Sequence, residues 1–166
     1  MSFAPPERLA GRHDVSSFVN GRHPELDDWL RTALDRETTA RTFVSCFEGA
    51  DRVAGYYALA TGSVERARVP RAKLRAGLSG HAPVVLLARL AVDARAQRQG
   101  LGSSLLVDAL RRAAAATHDV AAFDVVVHAI DEAAAAFYAK HGFLDLAQPG
   151  GAVRTMFLPL RALPPT

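Results

Sequence analysis

The residues Asp93–Ser104, DARAQRQGLGSS, stand between an apolar strand-like run and a helix-like run. Within them Gln97-Arg98-Gln99-Gly100-Leu101-Gly102 sets two glycines at the mouth of the helix. Glycine allows positive φ and lets a ligand approach the backbone closely. The first helical turn adds N–H groups without intrahelical acceptors and the positive end of the helix dipole. Together these make an anion site suited to a pyrophosphate. Arg95 and Arg98 can add charge-assisted contacts. The pattern is neither a dinucleotide fingerprint nor a nucleotide P-loop, because the third glycine and the Lys-Ser/Thr pair are missing.

Other residue types carry chemistry more weakly. Tyr138 lies in Asp131-Glu132-Ala133…Phe137-Tyr138-Ala139-Lys140-His141-Gly142-Phe143, where Asp131 suits an N-cap and Gly142 a helix stop. Phe137 and Tyr138 can equally pack that helix onto a sheet. The six histidines, at 13, 23, 81, 118, 128 and 141, show no ligand spacing, so no metal is expected. His128 reads as a satisfied core or groove residue, and Cys46 as core packing. Arg89 interrupts an apolar run and must be paired or face a polar cleft.

These residues must be positioned by a small set of elements. Pro24 suits the first turn of a helix whose stripe is Leu26, Trp29, Leu30, Ala33 and Leu34, with Trp29 as a core anchor. Thr42–Phe47 and Val53–Ala60 read as strands joined by a hairpin through Glu48–Arg52. Val84–Val92, VVLLARLAV, reads as a central strand buried on both faces. Leu101–Ala116 reads as a helix, Phe123–Ile130 as a second buried strand, Asp131–Lys140 as a helix and Val153–Leu158 as a last strand. Strands before and after helices give a mixed α/β sheet rather than a bundle. No repeat, linker or composition shift divides the chain, so residues 1–166 are expected to form one domain.

The composite of buried strand, Gln97–Gly102 loop, long helix, strand and Phe137-Tyr138-x-x-x-Gly142-Phe143 resembles the GNAT acetyltransferase superfamily. Further segments resemble the GNAT toxins of type II toxin–antitoxin modules. They are Phe18, Leu26-Asp27-Asp28-Trp29-Leu30, Arg41-Thr42-Phe43-Val44, Gly55–Leu59, Thr61–Val64, Leu87–Asp93 and Val127-His128-Ala129. The likeness runs from residue 14 to residue 158. It implies an α/β (α+β) GNAT acyl-CoA N-acyltransferase fold, with a mixed, mostly antiparallel sheet flanked by helices and splayed at its two central strands.

The same resemblance implies acetyl-CoA as cosubstrate, its pantetheine arm beside Leu90, Ala91 and Val92. Its pyrophosphate would lie on Arg95, Gln97, Arg98, Gln99, Gly100, Leu101, Gly102 and Ser103, with Asp131 and Phe137 as further cofactor contacts. Many family members carry Asn at the position of Asp131, and an aspartate has no side-chain amide to offer the cofactor there. Tyr138 is implied as general acid to the departing thiolate. The implied acceptor is the α-amino group of an aminoacyl-tRNA, and the implied partners are a ribbon–helix–helix antitoxin and a second copy of the chain. The enzymatic alternative is a GNAT N-acetyltransferase acting on a small-molecule amine or a protein N-terminus; the non-enzymatic one is an idle CoA-fold binding module.

Composition narrows these classes. With 49% hydrophobic residues over 166 positions the chain can build a core. No apolar run reaches the ~18 residues of a membrane span. The N-terminus lacks a signal pattern, so a cytoplasmic location is expected. The formal charge is +3, carried by 18 arginines and two lysines, Lys73 and Lys140. Residues 66–75, RARVPRAKLR, hold five of these cations and no acid, while the remainder of the chain is net −2. Beside a tRNA substrate, Arg66, Arg71, Lys73, Arg75 and Arg89 become expected backbone contacts, joined by Arg12, Arg22, Arg31, Arg36 and Arg41 if they share a face.

Overall fold

The computed structural model describes residues 1–65, 81–122, 124–146 and 154–160. The basic segment with Arg66, Arg71, Lys73 and Arg75, and the Gly-Leu-Ser-Gly run at 77–80, lie outside the described residues. Among the described residues, seven strands follow the order β1-β2-β3-β4-β5-β7-β6. The chain divides into two compact units, Met1–Ala60 with Ala88–Ala109, and Thr61–Leu87 with Leu110–Thr166.

In the first unit, β1 (Glu7–Arg8) pairs antiparallel with β2 (Arg41–Cys46), and β2 pairs antiparallel with β3 (Val53–Glu65), Arg41 facing Leu59. The expected hairpin forms at Gly49, whose φ of 78° is open to glycine at no steric cost, and Phe47 N–H closes it on Arg52 O at 3.0 Å. Helix α1 (Pro24–Arg31) has proline in its first turn and buries Leu26 and Leu30. These join Phe18, Val44, Val53, Tyr56 and Ala91 in one core cluster. Each large apolar side chain buried there contributes roughly 1.5–3 kcal/mol. Tyr56 is fully buried and donates its hydroxyl to Leu26 O at 2.7 Å, fixing α1 against the strand. Trp29, expected as an anchor, is instead half-buried at the margin of this cluster.

In the second unit, β4 (His81–Val92) and β5 (Asp124–Ala129) pair in parallel through Val85–Leu87 and Val125–Val127. β5 then pairs antiparallel with β7 (Arg154–Pro159), and β7 with the short β6 (Leu144–Asp145). A core of Val64, Ala82, Val84, Val126, Leu146 and Phe157 fills this unit. β5 is buried on both faces, as its unbroken Val run predicts. β4 is not: Leu86, Leu90 and Val92 are half-buried and Arg89 is exposed. Its pairing with β5 ends at Leu87, so the apolar run outlasts it. Helices α2 (Leu101–Ala116) and α3 (Glu132–Lys140) match the predicted spans to within a residue.

Candidate functional site

In the first unit, β4 gives way to α2 through a loop built on Asp93. The Asp93 side chain, 1% exposed, accepts from Arg95 N, Arg95 Nε, Arg95 Nη2 and Val19 N. Burial pushes its carboxyl up, but these hydrogen bonds outweigh burial and hold it below the usual carboxylate range. Beyond Asp93 the chain makes a turn of 3₁₀ helix, Ala94–Ala96, and then two left-handed residues, Arg98 (φ 62°) and Gly100 (φ 81°). Arg98 is the one non-glycine with positive φ among the described residues. Such a backbone costs of order 1–3 kcal/mol and is held by its surroundings.

Residues 97–100 are exposed, and the first helical bond of α2 is Ser104 N–H to Gly100 O at 3.1 Å. The N–H groups of Leu101, Gly102 and Ser103 therefore precede the intrahelical ladder. Successive free N–H groups at a left-handed turn and a helix N-terminus form an anion-binding concavity. A Cβ at Gly100 would meet nothing within 4 Å, so space is open above the turn. This arrangement fits a pyrophosphate.

The side chains of the loop divide sharply. Arg95 is spent on Asp93 and on Ser17 O (3.1 Å), with its guanidinium 5.6 Å from the Phe47 ring. Gln97 donates Nε2 to Asn20 O (2.8 Å) and Val92 O (2.9 Å). Gln99 reaches Arg95 O at 3.3 Å. Arg98 alone of these has an exposed side chain with no hydrogen bond or ion pair among the described residues. Beneath the loop, Leu101 and Leu105 pack against Gly55 of β3 so closely that a Cβ there would stand 2.8 Å from Leu105 Cδ1. The sequence marks Gly55 only as part of the Gly55–Leu59 likeness; the signal for this close approach is a glycine inside a strand pattern.

On β4, Ala91 is buried in the core cluster while Leu90 and Val92 are half-buried. Arg89 donates Nη1 to Ala88 O at 2.6 Å and places its guanidinium 5.6 Å from the Trp29 ring centre. Arg36 sets its own guanidinium 5.8 Å from the same ring centre, and Trp29 stacks on Tyr56 at 6.0 Å. No carboxylate lies within ion-pair distance of Arg36 or Arg89 among the described residues. Arg12, Arg31 and Arg41 are by contrast paired with Glu7 and Asp51, Asp28, and Glu37.

In the second unit, Asp131 caps α3, its Oδ1 accepting from Ala134 N–H at 2.7 Å. The far end closes as a Schellman motif: Phe143 N–H reaches Tyr138 O (3.1 Å) and Gly142 N–H reaches Ala139 O (3.0 Å), with Gly142 at φ 93°. The accompanying apolar contact is Tyr138 on Phe143, ring centres 5.4 Å apart. The spacing Tyr-x-x-x-Gly-Phe is thus the geometry of a helix stop that clamps the tyrosine. Phe137 packs edge-on against Tyr138 at 5.3 Å and against His141 at 4.7 Å. Tyr138 is 5% exposed, its hydroxyl has no hydrogen-bond partner among the described residues, and burial pushes its phenol well above the usual range. A phenol so raised stays protonated at neutral pH.

The remaining expectations fall to structural roles. His128 is exposed rather than buried and shares 2.9 Å with Thr155 Oγ1. Cys46 is buried, and burial raises its thiol. Among the described residues no group of His, Cys, Asp or Glu could hold a metal ion, and no helix is long and apolar enough to cross a membrane.

Comparison with known proteins places these features. Residues 40–144 match the family model described as an acetyltransferase (GNAT) domain. The chain is 42% identical over 144 residues to a tRNA-acetylating toxin of Mycobacterium tuberculosis (strain ATCC 25618 / H37Rv), covering 85% of this chain and 84% of that protein. Among solved structures it is similar to AtaT complexed with acetyl-methionyl-tRNAfMet (27% identity, TM-score 0.85, covering 97% and 96% of the two chains). It is also similar to a tyrosine-to-phenylalanine mutant of the AtaT toxin bound to the C-terminus of the antitoxin AtaR and acetyl-CoA (27% identity, TM-score 0.78, covering 96% and 94%).

Proposed function

This chain belongs to the GNAT acetyltransferase family, and from that premise we propose that it is a toxin acetylating the α-amino group of aminoacyl-tRNA with acetyl-CoA. The acetylated aminoacyl-tRNA can no longer serve translation, and a ribbon–helix–helix antitoxin neutralises the enzyme. The observation that carries the reading is the likeness, along most of the chain, to a tRNA-acetylating toxin, in a sequence that keeps both the anion loop and the clamped tyrosine. The reaction belongs in the cytoplasm, where charged tRNA is found. Residues 1–166 act in it as one N-acetyltransferase domain that works as a homodimer.

Acetyl-CoA supplies a thioester whose carbonyl carbon accepts the amine. The chain supplies the rest. Leu101, Gly102 and Ser103 N–H, with the Arg98 guanidinium, hold the pyrophosphate. The Leu90–Val92 segment receives the pantetheine arm as an added strand and turns a backbone N–H onto the carbonyl oxygen. Asp131 and Phe137 bound the cofactor from α3. The α-amino group titrates near ~7.7 in peptides and lower in an ester, so it attacks as the free base without a strong catalytic base. As the new C–N bond forms and the C–S bond breaks, Tyr138 gives its phenolic proton to the departing sulfur. The nitrogen loses its surplus proton to water, and the phenolate regains one.

Arg36 and Arg89, held on one indole and free of acids among the described residues, are suited to RNA phosphates, as are Arg66, Arg71, Lys73 and Arg75 of the basic segment. Purified protein incubated with labelled acetyl-CoA and charged tRNA should place label on the aminoacyl end. Label appearing only on small amines or on protein N-termini would select the enzymatic alternative instead, and no label on any amine would sink both.

A further inference from the structure

The segment Ser17–His23 precedes α1 and belongs to no regular element, yet in the first unit it is laced to the root of the anion loop by four bonds. Val19 N–H reaches Asp93 Oδ2 (3.1 Å) and Ala94 N–H reaches Val19 O (2.8 Å). Arg95 Nη2 reaches Ser17 O (3.1 Å) and Gln97 Nε2 reaches Asn20 O (2.8 Å). The packing is close enough that a Cβ on Gly21 would stand 3.6 Å from Ala94 Cβ.

Asn20 is the hub of this strap. It is 6% exposed and every polar group of it is used. Its Oδ1 accepts from Arg22 N–H (3.0 Å) and His23 N–H (2.8 Å), which folds the turn. Its Nδ2 donates to His23 O and Asp27 Oδ1 (both 2.6 Å), and its N–H donates to the same Asp27 oxygen (3.0 Å). Asp27 lies on α1 and is itself buried. The turn thereby aims Asn20 O at Gln97, whose amide also binds Val92 O, the last residue of β4. One residue beyond Gln97 the backbone enters the left-handed conformation at Arg98.

We propose that Asn20 and Gln97 are positioning residues for acetyl-CoA: Asn20, locked by Asp27, presents its carbonyl to the Gln97 amide, and this hook holds the Arg98–Gly100 turn in its anion-binding form. Gln97 then acts through its grip on two carbonyls rather than by touching the cofactor. The inference rests on the acetyl-CoA reading of the loop and is independent of which amine is acetylated. Because Asn20 also bonds the His23 carbonyl just before α1 and the Asp27 carboxylate on it, that helix and the anion loop stand on a common support.

The test is a double-mutant cycle on the full chain with Gln97→Met and Asn20→Ala, read by calorimetric titration with CoA and by KM and kcat for acetyl-CoA. Gln97→Met keeps the length of an exposed side chain and removes the amide, whose hydrogen bonds among the described residues are the two that Nε2 donates, so its folding is not at issue if Asn20→Ala is unstable. Each single variant should raise the CoA Kd and the acetyl-CoA KM about tenfold, the scale of a small misplacement of a binding group. Turnover at saturating acetyl-CoA should stay within twofold. The double variant should be no weaker than the weaker single, since both cut one link. A Gln97→Met protein binding CoA within twofold of wild type overturns the proposal, as does full additivity, which would mean separate contacts. If the wild-type chain itself fails to bind CoA, the acetyl-CoA reading of the loop falls instead.

Discussion

Tyr138→Phe tests the general-acid role proposed for α3 and separates it from packing. The side chain is 5% exposed, and the change gives up no hydrogen bond among the described residues. Its ring contacts, 5.3 Å to Phe137 and 5.4 Å to Phe143, survive in phenylalanine. Stability should therefore move by less than about 1 kcal/mol, which for a chain of this length shifts Tm by no more than about 2–4 °C. The chemical loss is far larger. A positioned general acid contributes roughly 10²–10⁴ in rate. A phenol whose ionisation is pushed up by burial is a weak acid, so the lower half of that range applies, about 10²–10³ in kcat or roughly 3–4 kcal/mol at ~1.36 kcal/mol per decade.

The pH profile adds an independent check. The raised phenol stays protonated through neutral and mildly basic solution, so wild-type kcat should rise as the ester-linked amine deprotonates, below the ~7.7 of a peptide amine, and then stay level to beyond pH ~10. Tyr138→Phe should keep the rising limb and lower the plateau. The assay is steady-state acetyl transfer to charged tRNA beside a thermal melt and CoA titration. A kcat within threefold of wild type refutes the acid role. A Tm lowered by more than about 5 °C would show that the hydroxyl is structural after all.

Three further outcomes follow from the first unit. Gly55→Ala drives a methyl to 2.8 Å from Leu105 Cδ1 and 3.1 Å from Leu101 Cδ2; chemical denaturation should record a loss of about 1–3 kcal/mol, as overpacking does, and CoA affinity should fall because Leu101 opens the anion turn. Arg98→Gly relieves the left-handed non-glycine at φ 62° while deleting a cation, so Tm should hold or rise while the CoA Kd increases about three- to tenfold and loses salt dependence. Asp93 titrates below its unfolded value near ~3.9; its contribution is complete above that value and is lost as pH falls through the lower folded one. CoA binding, after allowing for titration of CoA itself, should be level from pH 7 to 5 and fail only below pH ~4. A midpoint near pH 6 would implicate a histidine.

Much of this arrangement was legible because it is written in periodicity and punctuation. The unbroken Val run of β5, the 16-residue α2, the Asp131 cap and the Gly142 stop each have a local cause, and the structure follows them. What escaped has no local cause. β1 is two exposed polar residues, Glu7 and Arg8, that pair only because β2 offers an edge. The strap over Ser17–His23 is made of side-chain amides, a carboxylate and backbone groups more than 70 residues apart, which no window of sequence reveals. Type and spacing mark Gln97 as a cofactor contact, yet its amide donates to two backbone carbonyls, one of them 77 residues away in sequence. Arg89 was expected to be paired or to face a polar cleft; it lies exposed over an indole, an outcome set by Trp29 on another element.

The strap also imposes an order in time. Val19 and Asp93 are 74 residues apart, Asn20 and Gln97 77, and Ser17 and Arg95 78. At a synthesis rate of roughly 5–20 residues per second, some 4–15 s separate the making of one side of each bond from the making of the other. Through that interval the N-terminal segment waits with its acceptors and donors in water. A chain arrested there carries half of the support and no loop to support, so the cofactor binding proposed for this loop cannot precede the synthesis of β4 and the first turn of α2.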